Sequence, residues 1–403
     1  RDHKILGRKS VIMESNSKPL TGLRVLDLTR LLPGPVCTLH LADLGAEVIK
    51  VEDTVLGDYA RDLGSSVASM SPLFCAINRN KKSISVNLKE KSGKKIFNEL
   101  IKSSDVLIEG FRPGVMHKLG FDYENCKKIK PSLVYCSISG YGQDGPQKSV
   151  AGHDVNYIAV AGILDQIGVQ NERPVIPNIQ IGDILGGALV PAMTILAALF
   201  DVNRSGKGRN IDVSMTDAVF AHNFQALSNM VTEGNPGHRG DQLLSGSEAG
   251  YNVYETSDKK YIAVGALEKK FWNNLCELVE RGDLKKIHWS KKNANKSYGI
   301  SQLKKIFMTK TRDEWVSIFQ GSDCCVTPVL SFDEAIEYPQ LKSREMIFYE
   351  AHPNSHKTLQ FNTPFKMSDF KLDSTFAAPL HGQHTMEILK NLEISKSEIQ
   401  EFR

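Results

Sequence analysis

Short apolar runs alternate with amphipathic stretches through the first third of the chain. "LRVLDLTR" (23–30), "EVIKVED", "KSISVNL", "DVLIEGF" and "LVYCSISGYG" (133–142) read as buried strands. Near-continuous apolar runs of this length fit a parallel sheet covered on both faces. Between them lie "LPGPVCTLHLADLGA", a helix opened near Pro35, and the amphipathic "KEKSGKKIFNELIKSS". Strand–helix–strand at this spacing predicts right-handed βαβ units and an open sheet. Ligands of such sheets sit at the carboxyl ends of the strands.

Further along, a helix is predicted from Asp183, then the turn "NRSGKGR", a short strand "NIDVSM" and a helix starting near Thr216. The glycine-rich stretch 234–250 suits a linker. "YNVYETSDKKYIAVGAL" then reads as a β-hairpin turning at Ser257 and Asp258. The expected organisation is an α/β chain: an N-terminal extension (1–19), a large Rossmann-like domain with a parallel sheet (20–230), a linker (231–250), a smaller α+β domain (251–335) and a C-terminal return to the large domain (336–403). No GxGxxG follows the first strand, so the sheet by itself does not imply a dinucleotide.

The segment from Ile184 to Phe200 carries no charge and reaches the lower edge of a membrane span. Gly186, Gly187 and Pro191 within it, and an acid at each flank, predict instead a buried helix of a globular core. No membrane association is expected.

Composition changes little. Lys+Arg 50 against Asp+Glu 46 leaves a net charge of +4 over 403 residues, so no global field invites nucleic acid. Seven cysteines without a CxxC pair fit free thiols in a reducing compartment. The N-terminus has no apolar signal segment. The chain is expected to be cytoplasmic, or mitochondrial or peroxisomal if eukaryotic, and not secreted. Met13 is the expected natural start, with the residues before it an upstream remnant.

Several strings resemble one family: "PLTGLRVLDLTRLLPGPVCTLHLADLGAEVIKVE", "NRNKKSISVNL", "DVLIEGFRPGVMHKLG", "SISGYGQDGP", "GHDVNY", "NRSGKGRNIDVSM" and "APLHGQHTMEIL". Together they are similar to the family III CoA-transferases (CaiB/BaiF), over nearly all of the chain from Leu20 onward. "GHDVNY", "VGALEKKF" and "SDCCVTPVLSFDEA" resemble its α-methylacyl-CoA racemase branch more closely. The resemblance implies an interlocked, ring-like homodimer acting on acyl-CoA, with coenzyme A part of the substrate and no separate cofactor or metal.

The chemistry it implies is 1,1-proton transfer next to a thioester carbonyl, interconverting (2R)- and (2S)-2-methylacyl-CoA through an enolate. Such a step needs a base on one face, an acid on the other, and stabilisation of the enolate. His153 and Asp183 match the family's acid/base pair, and Glu268 matches a supporting glutamate. Read as bare residues, His153 is equally a helix-terminal histidine bonded to backbone, and Asp183 a helix cap. The alternative activity is CoA transfer, with Asp183 carrying the acyl group as a mixed anhydride.

For the nucleotide, Lys50 and Lys118 match phosphate contacts, and Arg112 lies near Lys118 after the fourth strand. Arg79, Lys81 and Lys82, also near strand ends, read equally as solvated surface. Ser85, Val86, Asn87 and Leu88 match an adenine-side backbone, and Gly110 and Phe111 a pantetheine wall. Gly152, Asp154, Val155, Asn156 and Tyr157 match the lining of the thioester end. One departure stands out: racemase-like relatives often place an arginine where this chain has Asp53, which puts part of the phosphate clamp in question. His381 and His384 in "HGQH" have a ligand-like spacing without companions, so packing is the favoured reading. Cys324 and Cys325 are expected to be buried strand residues, and the lysine-rich stretch 285–296 a solvated face.

Overall fold

The computed structural model describes residues 18–64, 70–351, 357–372, 376–392 and 394. Met13 and the residues before it lie outside this range. The chain divides into two units. The first comprises the described parts of 1–161, Ile179–Ala221 and Ser343–Arg403; the second comprises Gly162–Asn178 and His222–Lys342. The stretch 231–250, expected as a linker, therefore lies inside the second unit, together with the preceding helix.

In the first unit the apolar runs form β1 (Arg24–Leu28), β2 (Glu47–Glu52), β3 (Lys81–Ser85), β4 (Val106–Glu109), β5 (Val134–Ser139) and β6 (Arg209–Ser214). They make one parallel sheet in the order β3-β2-β1-β4-β5-β6. This is the doubly wound order, whose winding reverses between β1 and β4. The connecting helices are α1 (Pro33–Asp43), α2 (Pro72–Asn78), α3 (Lys91–Lys102), α4 (Val115–Leu119), α5 (Tyr123–Ile129), α6 (Asp154–Val160), α7 (Val190–Ser205) and α8 (Met215–Phe220). One face of the sheet is buried around Val25, Cys136 and Ile195, the other around Leu26, Phe97 and Leu107. A strand covered on both faces is mostly apolar rather than alternating, and the charged residues these strands do bury, among them Asp27, Lys50 and Lys81, are ion-paired.

β3 ends at Ser85, so Val86, Asn87 and Leu88 form the loop beyond it. At the β1–α1 turn, a Cβ on Gly34 would lie 2.2 Å from the Cβ of Thr29. Only glycine lets the chain double back this tightly, and Leu31 beside it takes a left-handed φ of 63°.

The segment expected to be a wholly buried helix differs in two ways. Gly182–Leu189 is wound as a π-helix that continues into α7. Gly186 allows close approach, since its Cβ would come within 2.8 Å of the Met215 backbone. The continuous helix Gly182–Ser205 is apolar and long enough to cross a membrane, yet only 33% of its most apolar window is buried within the chain. Ala188, Ala192, Ile195 and Ala198 face the core, while Leu189, Met193 and Phe200 lie open.

The second unit contains α9 (Phe224–Glu233) and the expected hairpin, β7 (Tyr251–Glu255) with β8 (Tyr261–Gly265). β9 (Val326–Val329) pairs antiparallel with β8. α10 (Lys269–Leu278), α11 (Asn293–Phe307) and α12 (Arg312–Phe319) enclose a core of Tyr254, Trp272, Phe307 and Trp315. Cys324 is buried, but Cys325 is exposed at φ 53°, so the expectation of two buried strand cysteines fails for the second. A residue held left-handed just before a strand is not part of that strand's pleat.

Candidate active site

Where the winding of the sheet reverses, the loops after β1 and β4 leave a cleft of about 610 Å³. Thr29, Arg30, Leu31 and Gly34 line it from the first loop, and Gly110, Phe111, Arg112 and Pro113 from the second. The stretch after β5 adds Tyr141, Lys148, Gly152, His153, Asn156 and Tyr157, and the π-helical segment adds Asp183. Arg30, Arg112 and Lys148 against one aspartate make the cleft electropositive, suited to a ligand with phosphates at one end.

His153 is the residue that opens α6. Its extended backbone (φ −129°) donates its N–H to Asn156 Oδ1 at 3.0 Å, and its ring is exposed in the cleft. Its backbone N–H thus helps close the cap of α6, while the residue lines the cleft. Asp183 is half-buried on the π-helical turn, and its own N–H donates to Asp154 Oδ1 at 3.0 Å. That bond ties the start of α6 to the turn at Asp183. Gly182 makes room for it, since its Cβ would sit 3.0 Å from the same oxygen. Burial, reinforced by the Asp154 charge, pushes the Asp183 carboxyl up to about 7. Near neutral pH it can therefore donate or accept a proton. π-turns inside helices recur at functional sites, because the widened turn redirects a side chain.

Tyr157 is buried beneath the pair. Its hydroxyl donates to the Gly152 carbonyl, and its ring meets Tyr141 edge-on at 5.3 Å. Burial, with Asp183 next in weight, pushes that hydroxyl up to about 12, so it stays a neutral donor. Asp154, expected at the thioester end, is buried and turned to the Asp183 backbone, and it does not line the cleft. Val155 does not line it either.

Lys50 requires a correction. It is fully buried; its Nζ pairs with Asp58 Oδ2 at 2.8 Å and donates to the Thr29 carbonyl at 3.0 Å. Asp58 in turn accepts the Leu31 N–H at 3.1 Å, so the pair shapes the β1–α1 loop from beneath. A cation so enclosed does not reach a phosphate. Lys118, by contrast, is exposed on α4. The N–H groups of Ser85 and Val86 are committed within the protein, to Thr385 Oγ1 at 3.0 Å and the Glu52 carbonyl at 2.8 Å. Asn87 Oδ1 accepts the Lys89 N–H at 3.0 Å, and Leu88 packs on the adjoining core. Lys81 is also buried, against Asp27, whereas Lys82 pairs with Glu47 and Glu387 nearer the surface. Arg79 is locked to Asp43.

Asp53 accepts the N–H groups of Val55 and Leu56 and pairs with Arg30 at 3.2 Å. Although burial works against it, those N–H groups and Arg30 hold its carboxyl below the ordinary range. Arg30 also lies 5.5 Å over the Phe111 ring. His381 and His384 engage the same region through the Asp53 carbonyl and the Ser83 N–H, at 2.7 and 3.2 Å.

Glu268 belongs to the second unit, at the amino end of α10. The carbonyl of Leu267 beside it accepts from both His288 Nε2 and Trp289 Nε1, at 2.7 Å each. The lysine-rich stretch includes the exposed Trp289 and a Lys296–Glu248 ion pair, so it is partly structural.

Sequence reasoning missed Arg30 and Lys148 as cleft cations. Arg30 follows β1 directly, where ligands of open sheets bind, so a positional signal existed. Nothing local to Lys148 marks it, because the loop that carries it is placed only by the fold.

The profile of CoA-transferase family III matches residues 20–385. Human alpha-methylacyl-CoA racemase is 37% identical over 393 residues, spanning 94% of this chain and 95% of that protein. Human succinyl-CoA:glutarate CoA-transferase is 34% identical over 383 residues, spanning 94% and 87%. The crystal structure of a CAIB/BAIF family protein from Brucella suis superposes with a TM-score of 0.82 at 29% identity, covering 94% of this chain and all of that one. The cleft at the winding reversal, with its acid and its cations, is therefore read within an enzyme family: this chain belongs to CoA-transferase family III.

Proposed function

We propose that the protein is an α-methylacyl-CoA racemase, interconverting (2R)- and (2S)-2-methylacyl-CoA thioesters. The observation that carries this reading is one cleft holding both an exposed imidazole, His153, and an aspartate pushed up to about 7, Asp183. A two-way proton exchange needs two proton-transfer groups at C2, one on each face, and the cleft holds a histidine and an aspartate able to serve. His153 and Asp183 take and return the C2 proton, exchanging roles with the enantiomer bound. Glu268 is assigned a supporting role. Coenzyme A enters as part of the substrate, and the scheme calls for no cofactor. Arg112, Lys118 and Lys148 are the cations assigned to its phosphates.

The working unit is proposed to be an interlocked homodimer. On the first unit Leu189, Met193 and Phe200 form an open apolar row on a helix that otherwise packs in a core, and a second copy would cover it. Light scattering at micromolar concentration should give twice the chain mass.

The competing reading is CoA transfer through an acyl-aspartyl anhydride on Asp183, favoured by the similarity to the succinyl-CoA:glutarate enzyme. Deuterium incorporation separates the two. Incubated in D2O with each 2-methylacyl-CoA enantiomer and no acceptor, a racemase exchanges C2 of both, and His153→Ala abolishes the exchange or makes it one-sided. A protein that exchanges nothing, yet moves CoA to an added carboxylate in a way lost in Asp183→Ala, is a transferase.

A further inference from the structure

The wall of the cleft formed by loop 110–113 has space on both sides at Arg112. Beside the cleft of about 610 Å³ is a second cavity of about 280 Å³ lined by Glu109, Arg112, Ser137 and Gln143 among others. Arg112 borders both. At that residue the loop is not held by close packing, since each void removes contacts that would resist movement. The Phe111 ring packs only partly against the core. What fixes the loop's leading end is polar: Glu109 Oε2 accepts the Phe111 N–H at 2.8 Å.

Glu109 closes β4 and is almost completely buried, at 4% exposure. Its register partner on β5 is Ser137. The next residue in the same row is Asp212 on β6, which uses the same device: its Oδ2 accepts the N–H of Gln143, in the loop after β5, at 3.0 Å. Two loops at this edge of the sheet are thus tied down by strand-borne acids through single backbone N–H groups. The proton-transfer scheme uses neither acid.

We propose that Glu109 is a positioning residue of the acyl-CoA site, whose buried carboxyl, across from Ser137 on β5, holds the Phe111 N–H and keeps loop 110–113 in place at the cleft. It touches no substrate; it acts through the backbone of the loop that does. The tether needs an acceptor oxygen but no charge. Burial pushes Glu109 up to about 7, so a neutral acid, whose carbonyl oxygen still accepts, serves near neutral pH. An amide carbonyl should serve equally.

Amide hydrogen exchange, read by mass spectrometry together with steady-state kinetics, tests this in the full chain. Glu109→Ala should speed exchange at residues 110–114 while leaving other segments unchanged. It should raise KM for 2-methylacyl-CoA about tenfold with kcat within about twofold, as expected for one lost buried hydrogen bond that places a binding loop. Glu109→Gln should restore both to wild-type values. Should Glu109→Ala not fold, Glu109→Met, which fills the space but offers no acceptor oxygen, should still speed exchange at 110–114. The proposal is overturned if exchange at that segment is unchanged in the folded variants, or if Glu109→Gln behaves as Glu109→Ala does. The kinetic arm rests on the racemase reading, whereas the exchange arm does not. A wild type inactive on 2-methylacyl-CoA would remove the former reading and leave the loop tether to be judged by exchange.

Discussion

The two halves of the sheet's carboxyl edge treat buried charge in opposite ways. Beyond β1, β2 and β3, buried acids have buried cations: Asp27 with Lys81, Asp58 with Lys50, and Glu52 with Arg61 at 2.7 Å. Despite burial, Arg61, Lys50 and Ser83 hold the Glu52 carboxyl down at about 2. Beyond β4, β5 and β6 and on the π-turn, Glu109 and Asp183 are buried without such pairing, and both are pushed up to about 7. Asp212 is raised as well, by burial first. A paired carboxylate is a fixed charge; an unpaired one holds a proton it can give away. One half of the edge thus fixes its acids as paired charges, while the other leaves acids able to hold a proton, of which Asp183 is the one in the cleft.

The largest effect expected from this contrast lies on the paired side. Lys50→Ala leaves Asp58 and Asp27 short of a cation in the interior, at a cost of about 3–5 kcal/mol in urea unfolding. If stability holds and CoA affinity falls instead, Lys50 is a phosphate ligand after all, and the ion-pair assignment is wrong.

On the proton side, Asp183→Asn should lower C2 deuterium exchange at least about a hundredfold without loss of stability. The folded state raises this carboxyl from 3.8 to about 7. Its contribution to folding is therefore full below about pH 4 and is lost as the pH rises through 7. Urea midpoints compared from pH 4 to 7.5 should show wild type losing stability relative to Asp183→Asn as the pH climbs. Parallel curves would mean that the aspartate ionises as it does in water.

A smaller shift is expected from Asp154→Asn. It keeps an oxygen for the Asp183 N–H but removes the neighbouring charge, so the Asp183 limb of the exchange–pH profile should move down by about one pH unit. An unmoved limb would leave burial as the only cause.

The pattern of apolar runs was enough to place β1 to β5 and the small-unit hairpin; β6, mostly exposed over its first four residues, was read from a short strand-like run after a glycine turn. It could not separate Lys50 from Lys118. Both are lysines near strand ends, yet one is sealed under the β1–α1 loop and the other stands on an exposed helix. His153 and Asp183 were identified by resemblance, while their shared cleft and the Asp154 bond between their elements depend on folding. Arg30, Lys148 and Glu109 went unnoticed because their neighbours in space are remote in sequence.

By itself, then, the sequence determined the order of the strands along the chain, the buried character of the sheet and the family of the chemistry, because local pattern and motif suffice for these. Which acids are paired and which hold a proton was decided only by tertiary structure. A carboxyl's proton affinity is set by burial and by charges within a few ångströms, and those come from segments that the chain brings together only when it folds.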